Sequence, residues 1–248
     1  WTPPADNADN LCGIAMDSAI SATWLNLIKE CDLPQLRMLG ITDSWVHTNH
    51  FQCGGKSAKP VISLKDDSRQ ISIDRNHINV QDGTGISIVG GSFLNITNNF
   101  FESGSAGHAG STKGGIATET SAGPSYCRIT GNRFWNLNAW GILAYRGITK
   151  SVISENVFHE CNILDIAATL DIDLREQSAG ECEYNVVSNN IHYRSSRTPT
   201  LYPAIAETPW YSTQTPDYNL FSGNNVIGVG VGYSGAVLKT GTNSKIVG

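Results

Sequence analysis

Charge is scarce in this 248-residue chain. Asp, Glu, Lys and Arg together make up 16% of it, well below the quarter usual for soluble proteins. No basic run occurs and the net charge is −5, which argues against nucleic acid as a partner. No apolar run reaches the roughly 18 residues that a membrane-spanning helix needs, so membrane insertion is not expected. A Gly-rich phosphate loop and a nucleophile elbow are both missing. The six cysteines (12, 31, 53, 127, 161 and 182) form no CxxC pair. No histidine stands at zinc spacing from them, so neither a metal nor a cofactor is expected. The cysteines read as buried thiols made in a reducing compartment, with one or two disulfides left open. The chain starts at Trp1, without Met. It therefore reads as a fragment or a processed product, here taken as one domain over 1–248, and no signal peptide is expected within it.

What is abundant is turn chemistry. There are 25 glycines, with much Asn, Ser and Thr, which points to a β protein with many turns. A short pattern also recurs: apolar, Ser/Thr/Asp, any, Asn, any, apolar. It appears as Ile73-Asp-Arg-Asn76-His-Ile78, Ile96-Thr-Asn-Asn99-Phe-Phe101, Ile129-Thr-Gly-Asn132-Arg-Phe134 and Ile153-Ser-Glu-Asn156-Val-Phe158. Phe221-Ser-Gly-Asn224-Asn-Val226 matches too, and Val187-Ser-Asn-Asn190-Ile-His192 matches except at its last position. Two weaker copies place Thr23 and Ser44 where the Asn would be. The intervals between key positions are then 21, 32, 23, 33, 24, 34 and 34. A fixed unit with an optional loop of about ten residues produces them, and such periods mark stacked repeats.

A second landmark is a short alternating run in each unit. It is seen at Gly13-Ile-Ala-Met16, Val61–Leu64, Gly85–Val89, Gly115–Glu119, Gly141–Tyr145, Asp165–Thr169 and Ala204–Glu207. Each unit thus holds three short strands separated by turns. Three short strands cannot bury their apolar faces alone, but stacking each unit in parallel on the next does so. The expectation is an all-β, right-handed parallel β-helix of about eight coils. In it the recurrent Asn accepts the left-handed backbone of a sharp turn and forms an amide ladder along the stack. A β-sandwich also has short, evenly spaced strands, but it does not call for Asn at one strand-relative place six times.

These repeats resemble those of the parallel β-helix carbohydrate-active proteins: pectate lyases, pectin methylesterases, mannuronan epimerases, polygalacturonases and bacteriophage tailspikes. The resemblance covers about residues 13 to 240. It implies an elongated flank that binds a glycan, walled by loops inserted at the turns. Within the group the chain is most similar to tailspikes, through its mild acidity, its cysteines without evident partners and its Asn/Gly/Ser-rich coils with irregular insertions. The Asn-Thr-Asp and Gly-His-Gly strings of polygalacturonases are missing, as is a pectate-lyase-like calcium cluster.

Function concentrates on loops that a rigid scaffold carries. The insertions that follow Gly115–Glu119 and Ala204–Glu207, and the acidic stretch Leu170 to Glu183, are expected at one edge of the rod. The candidate catalytic groups there are Glu119, Asp171, Asp173 and Glu207. Two carboxyl groups roughly 5–5.5 Å or 6.5–9.5 Å apart are what glycoside hydrolysis needs, and one or two coil spacings fall near those ranges. The candidate glycan contacts are Tyr145, Arg146, Arg175, Glu176, Trp210 and Tyr211, since aromatic faces stack on sugar rings and ions bind hydroxyls. Tyr145 beside Arg146 would suit a lyase, as a base near a neutralised uronate.

The resemblance implies a tailspike that binds and degrades a bacterial surface polysaccharide, capsule or O-antigen. It would be a homotrimer in the virion, assembled in the host cytoplasm. The alternatives are a secreted bacterial lyase, hydrolase or epimerase, and a non-catalytic β-helix used as a structural or adhesin module.

Overall fold

A computed structural model of the chain describes residues 14–17, 27–33, 35–52, 60–65, 68–80, 83–103, 113–119, 123–161, 170–176, 182–194, 203–209, 216–228, 237–238, 240–241 and 243–247. All regular structure among them is strand, in three sheets. Sheet A stacks Ile14–Asp17, Leu36–Leu39, Ile62–Lys65, Gly83–Val89, Lys113–Thr118, Ile142–Ala144, Ile172–Glu176, Ile205–Pro209 and Val237–Leu238. Sheet B stacks Leu27–Lys29, Thr42–His47, Arg69–Asp74, Asn95–Thr97, Arg128–Thr130, Val152–Ser154, Val186–Ser188, Leu220–Ser222 and Lys245–Val247. Sheet C stacks Asp32–Leu33, His50–Gln52, His77–Asn79, Phe100–Glu102, Arg133–Trp135, Val157–His159, Ile191–Arg194 and Asn225–Gly228. Each coil visits A, then B, then C, and every strand pairs in parallel with its copy on the next coil. The described residues form a right-handed parallel β-helix of eight full coils and part of a ninth.

Side-chain alternation fills the tube. In sheet B, Ile73, Ile96, Ile129, Ile153, Val187 and Phe221 follow one another in register and are fully buried. In sheet C the rings of Phe101, Phe134 and Phe158 stack at 4.8 and 4.7 Å. Each such side chain contributes roughly 1.5–3 kcal/mol of burial. No single coil could collect that alone, because its apolar faces look up and down the axis at other coils.

The corner between sheets B and C carries the Asn ladder. Asn132 is typical: its Nδ2 donates to Ile96 O at 2.8 Å and to Asn156 Oδ1 at 3.1 Å. Its Oδ1 accepts from the backbone N and the Nδ2 of Asn99. The same contacts link Asn76, Asn99, Asn132, Asn156, Asn190 and Asn224, all six found by the repeat. The two weaker copies were misplaced. Thr23 lies outside the described residues, and Ser44 sits within the strand Thr42–His47, paired with Ile71. The ladder member of the second coil is Asn49, whose Nδ2 donates to Asn76 Oδ1 at 2.9 Å. In the first coil its place is taken by Cys31, whose backbone N donates to Asn49 Oδ1.

The sheet A strand of the seventh coil also differs from the reading. Ile142 pairs with Ile172, so that strand is Ile172–Glu176, and 165–169 lies outside the described residues. A second ladder runs along the corner between sheets A and B, through Ser151, Asn185, Asn219 and Ser244. Its sequence trace is the repeated Tyr-Asn of Tyr184-Asn185 and Tyr218-Asn219.

Candidate functional site

Sheet A of the fifth to eighth coils holds most of the candidate residues. Thr118 pairs with Ala144 and Ala144 with Leu174. One residue further on, Glu119, Tyr145 and Arg175 are therefore next in line on three successive coils. Arg146 and Glu176 follow them. Glu119 is exposed, and Tyr145 and Arg146 are half-buried. The guanidinium carbon of Arg146 lies 5.8 Å from the centroid of the Tyr145 ring. The strand register therefore sets Glu119, Tyr145 and Arg175 at matching positions of three successive coils, with Arg146 next to Tyr145. Trp210 and Tyr211 lie outside the described residues, as does the side chain of Glu176.

The remaining carboxylates are not on that surface. Ile172 and Leu174 face the core, so Asp173 faces outward, yet it is completely buried. It accepts from Arg175 Nε at 2.6 Å and from Nη2 at 2.5 Å, with both side chains at or below 3% exposure. Removing one member of such a pair strands a buried charge, at a cost of about 3–5 kcal/mol. Asp173 therefore holds Arg175 in place from within.

Glu207 faces the other way. It pairs with the core residue Leu174 and so points into the tube. Its Oε1 accepts from Asn219 Nδ2 at 2.9 Å and from Ser244 Oγ at 2.5 Å. Its Oε2 accepts from the backbone N of Thr240 and of Gly241, at 3.1 and 3.0 Å. Four donors use the full capacity of a carboxylate. Glu207 fastens the ninth coil to the eighth, a structural place that leaves no lone pair for a substrate.

Asp171 is also internal. Its Oδ2 lies 2.8 Å from Nδ1 of His192, in a pair at 2% exposure or less. His192 itself stacks on Phe158 at 4.8 Å, at the end of the phenylalanine column. Of the four candidate catalytic carboxylates, only Glu119 reaches solvent, and the carboxyl pairs that hydrolysis would need do not meet on one open face.

Sequence reasoning had no means to find the Asp171–His192 contact, although His192 was visible as the one polar end of an otherwise apolar pattern. No group of three or more His, Cys, Asp or Glu side chains suited to a metal occurs among the described residues. The described cysteines, Cys31, Cys127, Cys161 and Cys182, are all free thiols. Burial pushes the Cys127 thiol up to about 11. Cys31 is only half-buried, so the expectation of buried thiols holds for three of these four.

No protein-family model matches the sequence. No curated protein matches it either. The fold does match solved structures. A DFA-IIIase from Arthrobacter chlorophenolicus A6, solved without its lid in complex with GF2, superposes with a TM-score of 0.57 at 14% identity. That match covers 94% of this chain and 53% of the other. PfbA, a surface adhesin of Streptococcus pneumoniae, superposes with a TM-score of 0.58 at 18% identity, covering 94% of this chain and 62% of the other. At these identities the likeness is one of fold. The chain spans about half to three-fifths of the length of these two proteins.

Proposed function

We propose that this chain is the rod of a tailspike-type protein that binds a bacterial surface polysaccharide along sheet A and cleaves it. The observation that carries the reading is the strip Glu119–Tyr145–Arg146–Arg175. It sets one phenol and the accessible guanidinium of Arg146 beside a single exposed carboxylate, with Arg175 buried against Asp173 at its end. That mixture suits an acidic glycan: guanidinium groups pair with carboxylates, and the aromatic ring meets sugar C–H faces.

Elimination suits the strip better than hydrolysis, which needs two accessible carboxyl groups. In an elimination, Arg146 neutralises the uronate carboxylate. The phenol oxygen of Tyr145, as the base, takes the proton beside that carboxylate. The bond to the leaving oxygen breaks, a C=C bond forms in the sugar, and the leaving oxygen takes a proton from water. The free thiols support assembly in a reducing host cytoplasm, and a homotrimeric virion protein is the form proposed. The carbohydrate complex of one structural neighbour is in keeping with a glycan ligand.

The test is incubation with a panel of capsular and O-antigen polysaccharides, following both reducing ends and the absorbance of unsaturated products. Unsaturated products are expected. Tyr145→Phe should abolish them while binding persists, and Arg146→Ala should weaken binding. New reducing ends without unsaturation would replace elimination by hydrolysis.

A second reading is a non-catalytic adhesin. It is favoured by the burial of Asp171, Asp173 and Glu207, which takes three of four candidate carboxylates off the surface. Binding without any fragment release would establish it.

A further inference from the structure

Two of the three corners of each coil make the same backbone demand and answer it with different residues. At the corner between sheets B and C the left-handed residue is Thr48, Arg75, Asn98, Gly131, Glu155, Asn189 or Gly223, with φ between 54° and 70°. These are polar residues or glycine. At the corner between sheets A and B the left-handed positions of the fourth to eighth coils are Phe93, Tyr126, Lys150, Tyr184 and Tyr218, with φ from 51° to 59°. Left-handed backbone costs an L-residue roughly 1–2 kcal/mol, and for a bulky side chain it is a true outlier. Four aromatic residues at such positions were not chosen for their backbone.

Burial does not explain them either. Phe93, Tyr126, Tyr184 and Tyr218 are each about half exposed, between 48% and 52%. They form two stacked pairs, Phe93–Tyr126 at 5.1 Å and Tyr184–Tyr218 at 5.0 Å, both with rings within 9° of parallel. A single rung separates the pairs, and it carries Lys150, whose Nζ lies 5.4 Å from the Tyr126 centroid. Tyr126 and Tyr184 are thus two rungs apart, about 9.6 Å at the usual strand spacing. One ring in van der Waals contact on both faces needs roughly 7–8 Å.

We propose that Tyr126, Lys150 and Tyr184 form a slot for one acidic sugar unit, separate from the strip on sheet A. The proposal rests on the preceding reading only for its ligand class. The sugar ring lies between the two tyrosine rings, in the space the lysine stem now occupies. That stem is flexible enough to swing outward and keep its ammonium on the sugar carboxylate. Arg128, exposed two residues beyond Tyr126, adds a second cation. Of the nearby acids, Asp217 is already held by Asn243, and Glu183 precedes Tyr184. Persistent strain at exposed positions marks places where side chains are used, and here it coincides with a break in the aromatic column.

Calorimetric titration with oligogalacturonate and oligomannuronate, beside the same oligomers with carboxyls reduced to alcohols, tests this. Wild type should bind the acidic oligomers and not the reduced ones. Lys150→Tyr, which closes the slot, and Tyr184→Asn, which opens one wall, should each weaken that binding at least tenfold. Because Asn tolerates the left-handed backbone, Tyr184→Asn should leave the Tm unchanged or higher. A lower Tm with unchanged affinity would make the rings structural and overturn the proposal. Equal binding of reduced oligomers, or no binding by wild type, would also overturn it. Arg146→Ala separates the two sites. If it alone abolishes binding, the slot fails and the sheet A reading stands; if only the slot variants do, the reverse holds.

Discussion

Asp171 and His192 stand 21 residues apart in sequence and meet inside the tube, Oδ2 to Nδ1, at 2.8 Å. On the preceding coil the same two places hold Gly141 and Phe158. On the coil before that they hold Gly115 and Phe134. The glycine is required there. A Cβ on Gly141 would lie 2.4 Å from the Phe158 ring, and one on Gly115 would lie 2.5 Å from Phe134. In the seventh coil a smaller five-membered ring leaves room for a side chain opposite, and Asp171 Oδ2 pairs with His192 Nδ1. The chain has exchanged a Gly–Phe rung for an Asp–His rung.

That exchange predicts strong coupling. His192→Phe alone should place a phenyl ring against Asp171 and strand its carboxylate, at a cost of about 3–5 kcal/mol. Asp171→Gly alone should leave the buried imidazole short of a partner and cost less. The double variant Asp171→Gly with His192→Phe restores the rung of the neighbouring coils. It should be at least as stable as wild type, since well-packed apolar groups often equal a buried pair. Urea denaturation of the four proteins gives the cycle. Additive losses would refute the rung exchange.

The Asn ladder predicts a gradient from centre to end. Asn132→Ala removes five hydrogen bonds in a fully buried place. Each stranded buried group costs about 1–3 kcal/mol, so a loss of at least about 3 kcal/mol is expected. Asn224 is only half-buried, and Asn224→Ala should cost clearly less because water replaces part of what is lost. Comparable denaturation midpoints for the two variants would contradict the ladder as a source of stability.

Asp74 predicts part of the acid limb of stability. Burial raises its affinity for a proton, but hydrogen bonds from Arg75, Asn98 and Thr97, with the Arg75 charge, outweigh burial and hold the carboxyl below the ordinary aspartate value. The folded state therefore binds the proton less readily than the unfolded state. The stabilisation is fully present above about pH 3.8 and is lost as pH falls through the lower folded value. Asp74→Asn should make stability fall less steeply below pH 4 and remove the benefit at neutral pH. An unchanged acid limb, read from melts across pH 2–7, would show that Asp74 does not contribute to it.

Much of this architecture was legible because repetition is a one-dimensional signal. Six of the seven ladder asparagines lie at the same offset from an apolar residue that faces the core. Asn49 was missed although Val46-His-Thr-Asn49-His-Phe51 has the right frame, because Ile41 opens a competing match within a strand six residues long. The site was less legible. Asp171, Asp173 and Glu207 read as loop charges, whereas Asp173 and Glu207 lie within strands and Asp171 just precedes one. Within a strand, one residue of offset decides between core and solvent.

The sequence by itself determined the repeat, the parallel coils, the Asn ladder and the strip formed by Glu119, Tyr145, Arg146 and Arg175. All of these follow from spacing along the chain and the period-two alternation of strands. Only the tertiary structure decided which charges are open to a ligand. It turned Glu207 inward to four donors, closed Asp173 onto Arg175 and set Asp171 against His192. It also aligned Tyr126, Lys150 and Tyr184 on one edge. Those outcomes depend on how side chains are buried and on contacts across the tube or between coils, as in the pairs Asp171–His192 and Glu207–Ser244, 21 and 37 positions apart, whose pairing no local pattern records.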